Sequence, residues 1–183
     1  MADNETRTLE SEGIYLFDSE FTASSCGKAI RFVLEKNMLP KNERPANLTF
    51  IINSPGGSVA ACFALIDTIR GSTIPVHTVG LGLIASAGVT LFMAGAKGHR
   101  VVTPNTAIMS HQFASGAFGK EHELLASQRH WSLVSERILR HYMLCTGLSE
   151  KKVKKLLLPP EDVYMTGEQA VEYGIADRVV LTY

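Results

Sequence analysis

Ser86 lies in GLIASAGVTLF, where a strand-like run passes through a glycine-rich junction into a helix-like one. A hydroxyl at a helix start sits beside backbone N–H groups that have no partner within the helix and that stabilise developing negative charge. That setting suits a nucleophile with an oxyanion site, and it equally suits an N-cap, for which serine is a favoured residue. Ser54-Pro55-Gly56-Gly57-Ser58 forms a second junction of the same kind. Paired glycines let a carbonyl oxygen or an extended peptide approach the backbone and receive its N–H groups; the plain alternative is a tight strand-to-helix turn. Neither GxxxxGK[ST] nor GxGxxG is present there, so phosphate binding is disfavoured. His111 ends AIMSH and could take a proton from a serine. His99, His122, His130 and His141 stand beside charged or polar residues and read as solvated surface, and His77 reads as a satisfied strand residue. Glu161-Asp162 offers a carboxylate to orient a histidine. Ser, His and Asp remain one of many such triples, because a triad is recognised by geometry and not by order.

The elements that must position these residues follow from periodicity. Ile14 to Phe17 reads as a strand, and Cys26, Ile30, Val33 and Leu34 recur at helical spacing until Pro40. Leu48 to Ile52 is a second strand, followed by a helical face of Val59, Cys62, Phe63 and Ile66. Val76 to Leu81 is a third, followed by a helix from about Ser86 to Ala96. Three successive strand-turn-helix units predict an α/β fold with a largely parallel sheet. Short strands are expected at His99 to Val102 and Ala107 to His111, then a long helix from Glu121 to Cys145 stopped by Gly147. Its stripe is Leu124, Trp131, Val134, Ile138 and Tyr142. Short helices at Glu150 to Leu157 and Gly167 to Tyr173, and a strand at Ile175 to Leu181, complete the chain. The 183 residues fit a mobile segment at 1–13 and one domain at 14–183.

Composition narrows the function classes. Eighteen basic residues balance 18 acidic ones, so nucleic acid is an unsuited partner. Charged residues are 20%, a hint of surface buried between subunits. Cys26, Cys62 and Cys145 are scattered without metal-ligand spacing, which disfavours a disulfide framework and a metal site and marks them as small buried hydrophobes. Pro75 to Ala96 lacks Asp, Glu, Lys and Arg, but its polar residues, proline and glycines argue against a membrane span. The polar, acidic start has no secretory order, so a cytoplasmic location is expected.

With these residues in view, the chain resembles the ClpP family, the proteolytic subunits of the Clp protease. The resemblance rests on FIINSPGGSVAA, IASAG, LFMAGAKGHRVVTPNTAIMSHQ and MTGEQAVEYGIADRV, which extend over most of residues 48 to 181, and on the 25-residue separation of Ser86 and His111. It implies a ClpP/crotonase-like fold and a serine peptidase in which Ser86 is the nucleophile, His111 the general base and acid, and Asp162 the residue orienting His111. It further implies an oxyanion hole from the Gly57 and Ala87 N–H groups, and strand-like pairing of substrate with Gly56, Ser58, Val59 and Ala114. No cofactor is expected, since ATP serves only a separate hexameric ATPase. The implied assembly is a double ring of heptamers joined through the long helix as a handle, and the substrates are peptides and unfolded chains.

Several positions depart from the family pattern. Thr49, Ile51 and Gly71 stand where aromatic residues form the ATPase docking pocket, and few residues precede Ile14, which weighs against ATPase pairing. Glu161, with Pro160 before it, stands where a basic residue usually precedes the catalytic Asp and helps couple the rings. Phe113 replaces the proline that usually follows His-Gln. These are the marks of a divergent member, phage-borne or accessory. The alternative function is a non-catalytic ring subunit that mixes with an active homologue; an acyl-CoA crotonase ranks below both, since it typically uses Glu.

Overall fold

A computed structural model describes residues 7–182. The chain runs β1 (Ile14–Phe17), α1 (Ala23–Met38), β2 (Leu48–Ser54), α2 (Val59–Gly71), β3 (Val76–Ala85), α3 (Ala87–Phe92), β4 (Arg100–Val102), β5 (Ala107–Ser110), α4 (Glu121–Thr146), α5 (Glu150–Leu156), β6 (Val163–Met165), α6 (Gly167–Glu172) and β7 (Arg178–Val179). The expected α/β architecture is found: β1-β2-β3-β4-β7 lie side by side, and every pair along that path is parallel. Leu48, Phe50 and Ile52 of β2 are fully buried, as a strand covered by helices requires.

Two irregularities shape the site. Between Ile52 and Ser54 the β2–β3 register shifts, and the Asn53 side chain accepts the Leu83 N–H. The bulge divides β3: Thr78–Gly80 pairs with β4, and Leu83–Ala85 pairs with β5. Strand β5 in turn pairs with β6, the antiparallel neighbour that periodicity does not reveal because it is only three residues long. The end of β3 thereby lies alongside β5, with Ala85 opposite Met109.

Helix α3 is shorter than its sequence pattern. The Thr78 hydroxyl donates to the Phe92 carbonyl, and the Ala96 N–H donates to the Val76 carbonyl, so the chain turns back onto the sheet after Met93. The last strand is likewise two residues long, since its partner β4 has only three and the Ile175 and Ala176 N–H groups close onto the Ala170 carbonyl of α6.

Helix α4 divides into two halves. Val134, Ile138, His141 and Tyr142 are buried against the body, whereas Leu124, Leu125 and Leu133 are 39%, 50% and 62% exposed. His141 corrects the expectation of a solvated histidine. Its charged neighbour Arg140 faces solvent, but His141 falls three residues after Ile138 and so lies on the buried face. No helix among the described residues is long and apolar enough to cross a membrane.

Candidate active site

Ser86 ends the turn from β3 into α3 with φ 56° and ψ −116°, the one described non-glycine residue at positive φ. Such backbone costs about 1–3 kcal/mol and persists only where its surroundings enforce it. Here the Ser86 N–H is held by the Met109 carbonyl of β5 at 2.9 Å, and the Ser86 carbonyl receives the Thr90 N–H and hydroxyl. Although Ser86 stands at the N-cap position, its side chain makes no capping bond. The strained turn directs Oγ outward instead, 2.7 Å from His111 Nε2. The N-cap alternative for Ser86 is thus set aside by the direction of its hydroxyl. With the imidazole neutral and its proton on Nδ1, Nε2 accepts the serine proton.

His111 directly follows β5, and the next residue, Gln112, is anchored through its side-chain amide to the Leu158 carbonyl at 3.0 Å. The β5–β6 ladder sets Ser110 opposite Val163, which brings Asp162 beside His111 along the backbone. The two side chains are not joined: among the described residues the only side-chain hydrogen bond of His111 is the one to Ser86, and Asp162 is exposed. Its turn is fed by buried Pro159 and exposed Pro160, whose fixed φ limits how the carboxylate can be presented.

The Gly56-Gly57 turn abuts Ser86. Gly57 has φ 138°, and a Cβ there would lie 2.6 Å from the Phe21 carbonyl oxygen, so glycine is required. Among the described residues neither the Gly57 N–H nor the Ala87 N–H has an acceptor. Ala87 is the first residue of α3, where the orphan N–H groups of a helix are found.

The backbone groups of two expected substrate contacts, Gly56 and Ser58, already make bonds within the chain. The Ser58 N–H donates to the Phe21 carbonyl at 2.7 Å and the Ser58 carbonyl accepts the Cys62 N–H; the Gly56 carbonyl accepts the Phe21 N–H and the Gly56 N–H donates to Ser54 Oγ. The N–H donors of Gly56 and Ser58 are thus spent within the chain, while each carbonyl keeps a second lone pair. Gly57, Val59 and Ala114, by contrast, line the cavity beside Ser86.

That cavity has a volume of about 70 Å³. Its inner wall contains Cys62, Thr90, Ile138 and Tyr142, none of which chemical reasoning on the sequence singles out as site residues. The signal was the apolar stripe itself, since α2 and α4 place Cys62, Ile138 and Tyr142 on their buried faces. Burial pushes the Cys62 thiol up and the Tyr142 phenol up to about 12, so both stand there as neutral groups. Phe113, half-buried, closes the outer side.

A strained serine against a histidine, two unengaged N–H groups and a small apolar cavity on an α/β scaffold are parts suited to acyl transfer. A family model for Clp protease matches residues 6–182. The mixed α/β architecture, with its parallel sheet, is that of a ClpP-type fold, and the chain belongs to the Clp protease family.

Proposed function

We propose that this chain is a serine peptidase subunit of a self-compartmentalising Clp-type protease. The observation that carries the reading is the 2.7 Å contact between Ser86 Oγ and His111 Nε2 at a turn strained to make it. In this reading Ser86 Oγ attacks the scissile carbonyl while His111 Nε2 takes its proton. The carbonyl oxygen, now negative, receives the Gly57 and Ala87 N–H groups. His111 then returns the proton to the departing amine, leaving an acyl-serine that water, activated by the same histidine, hydrolyses. Asp162, which the β5–β6 ladder sets opposite His111 along the backbone, is the carboxylate proposed to accept the His111 Nδ1–H. The substrate backbone pairs with Val59 and Ala114 beside the cavity. No cofactor takes part in these steps.

The exposed half of α4, with Leu124, Leu125 and Leu133, suits burial against other copies of the chain in stacked heptameric rings. Peptides and unfolded chains are the proposed substrates, supplied by a separate hexameric ATPase where one docks, in the cytoplasm.

A fluorophosphonate probe tests the chemistry. It should label Ser86 in the wild type, and Ser86→Ala should lose both labelling and cleavage of a fluorogenic peptide. Equal cleavage by the two proteins would refute the reading. The unjoined Asp162 favours the second reading, a non-catalytic ring subunit that co-assembles with an active homologue; absence of labelling in an assembly of ring-sized mass would select it.

A further inference from the structure

Two consecutive residues of α4 reach the two elements that carry Ser86 and His111. His141 Nε2 lies 2.8 Å from the Thr90 carbonyl oxygen, and its Nδ1 lies 2.9 Å from Arg70 Nη2. A guanidinium only donates, so Nδ1 is the acceptor and Nε2 carries the proton given to Thr90. Thr90 passes the connection on, since its N–H and hydroxyl both donate to the Ser86 carbonyl, at 3.1 and 3.0 Å. On the other side, the Tyr142 hydroxyl lies 2.9 Å from Ser110 Oγ. Ser110 gives its own proton to the Leu157 carbonyl at 2.6 Å, so Tyr142 donates to Ser110, the residue that precedes His111.

These groups are costly to bury. His141 is 3% and Tyr142 1% exposed, and apolar side chains of similar size would fill the same space without needing partners. What a hydrogen bond adds to burial is direction: it fixes two elements to within a few tenths of an ångström. Burial holds His141 down to about 4, with Arg70 acting in the same sense against the Thr90 bond, so this donor and acceptor pattern holds at neutral pH. Facing the ring are Arg70 and the edge-on Phe63 from α2, the Thr90 carbonyl from α3, and the Cys145 thiol from α4 itself.

We propose that His141 and Tyr142 are positioning residues that set the Ser86–His111 separation, His141 through α3 and Tyr142 through β5. Ser86 and His111 belong to different elements, and two adjacent residues on one helix hold both elements in a single frame. The inference rests on reading Ser86 and His111 as the reacting pair.

The test uses three variants of the full chain. Tyr142→Phe removes one oxygen atom, His141→Leu removes both ring hydrogen bonds, and His141→Gln returns a donor near the Nε2 position. In crystal structures of Tyr142→Phe and His141→Leu, the Ser86 Oγ–His111 Nε2 distance should exceed about 3.5 Å, the limit of a hydrogen bond. The rate constant for fluorophosphonate labelling of Ser86 should fall about tenfold or more, as displacement of a reacting atom by a fraction of an ångström requires. Peptide kcat should fall with KM within about twofold, and His141→Gln should recover most of the loss. A distance of about 3.5 Å or less in either folded variant overturns the inference. Should His141→Leu fail to fold, Tyr142→Phe decides. Failure of the wild type to label would refute the peptidase reading instead, and the crystallographic distance would still decide this one.

Discussion

A Cβ built on Gly56 would lie 2.7 Å from the Cβ of Ser86 and 2.9 Å from the Ala85 carbonyl oxygen. The turns that end β2 and β3 are therefore in contact with only hydrogen atoms between them. Gly56 also has φ 104°, where a side chain is strained whatever the space. Gly56→Ala must push the Ser86 turn aside, and a displacement near 1 Å costs about 100-fold in rate. Fluorophosphonate labelling of Ser86 in this variant should drop by that order, with a lowered melting temperature. Labelling at the wild-type rate would show that the two turns do not constrain each other.

Loss of Ser86 and loss of His111 should not add. Each removes the same proton transfer, so Ser86→Ala, His111→Ala and the double variant should share one residual rate of peptide cleavage. A double variant slower than either single one by the product of their losses would mean that the two side chains act in separate steps.

Acid should destabilise this protein through His141. Its pKa is about 4 in the folded chain against 6.5 ordinarily, so between those values the unfolded chain binds the extra proton. Stability is then complete above about pH 6.5 and declines as pH falls toward 4, by about 3 kcal/mol in all. Denaturant melts from pH 7 to 4 measure the slope, and His141→Gln, which cannot titrate there, should flatten it. An unchanged slope in that variant would move the titration to other groups.

Arg100 and Asp177 form the most enclosed ion pair among the described residues. Their side chains are 3% and 14% exposed, and the Asp177 carboxylate takes the guanidinium at 2.6 and 3.0 Å together with the Arg100 and Gly98 N–H groups. Burial works to raise the Asp177 pKa, but the hydrogen bonds and charge of Arg100 and the Gly98 N–H outweigh it and leave the carboxyl below its ordinary 3.8. Its contribution is present above that ordinary value and disappears as pH falls beneath it. Arg100 also donates to the Cys145 carbonyl near the end of α4, so it links β4, β7 and that helix. Asp177→Asn leaves a buried cation without its partner and should cost about 3 kcal/mol or more, measured by urea denaturation at pH 7. A loss below about 1 kcal/mol, the level of an exposed pair, would contradict the enclosure.

Much of the scaffold was legible from periodicity, and the exceptions have specific causes. Strands β1 and β2 and helices α1 and α2 announce themselves through apolar spacing that their own burial demands, whereas of the α4 stripe Val134, Ile138 and Tyr142 are buried and Leu124 is exposed. Strand β6 does not, since three residues cannot show a period, and α3 ends early because Thr78, distant in sequence, captures the Phe92 carbonyl. The sequence neighbours of His141 point to solvent, whereas its neighbours around the helix, Ile138 and Tyr142 among them, place it on the buried face.

Within the site, residue types alone marked Ser86, His111 and the Gly56-Gly57 turn, because few side chains can carry a nucleophile, a base or a close backbone approach. The order of those residues also determined that each would fall at the end of a strand. Only the folded chain decided that the His111 imidazole comes within hydrogen-bond distance of the serine, that the serine hydroxyl turns away from its helix, that Asp162 stays in solvent, and that Gly56 and Ser58 spend their N–H groups on Ser54 and Phe21. The physical reason is that periodicity is enforced by burial within one element. Contact between two strand ends depends instead on the bulge at Ile52–Ser54 and on the register of β3 with β5, which are settled by pairing between distant segments.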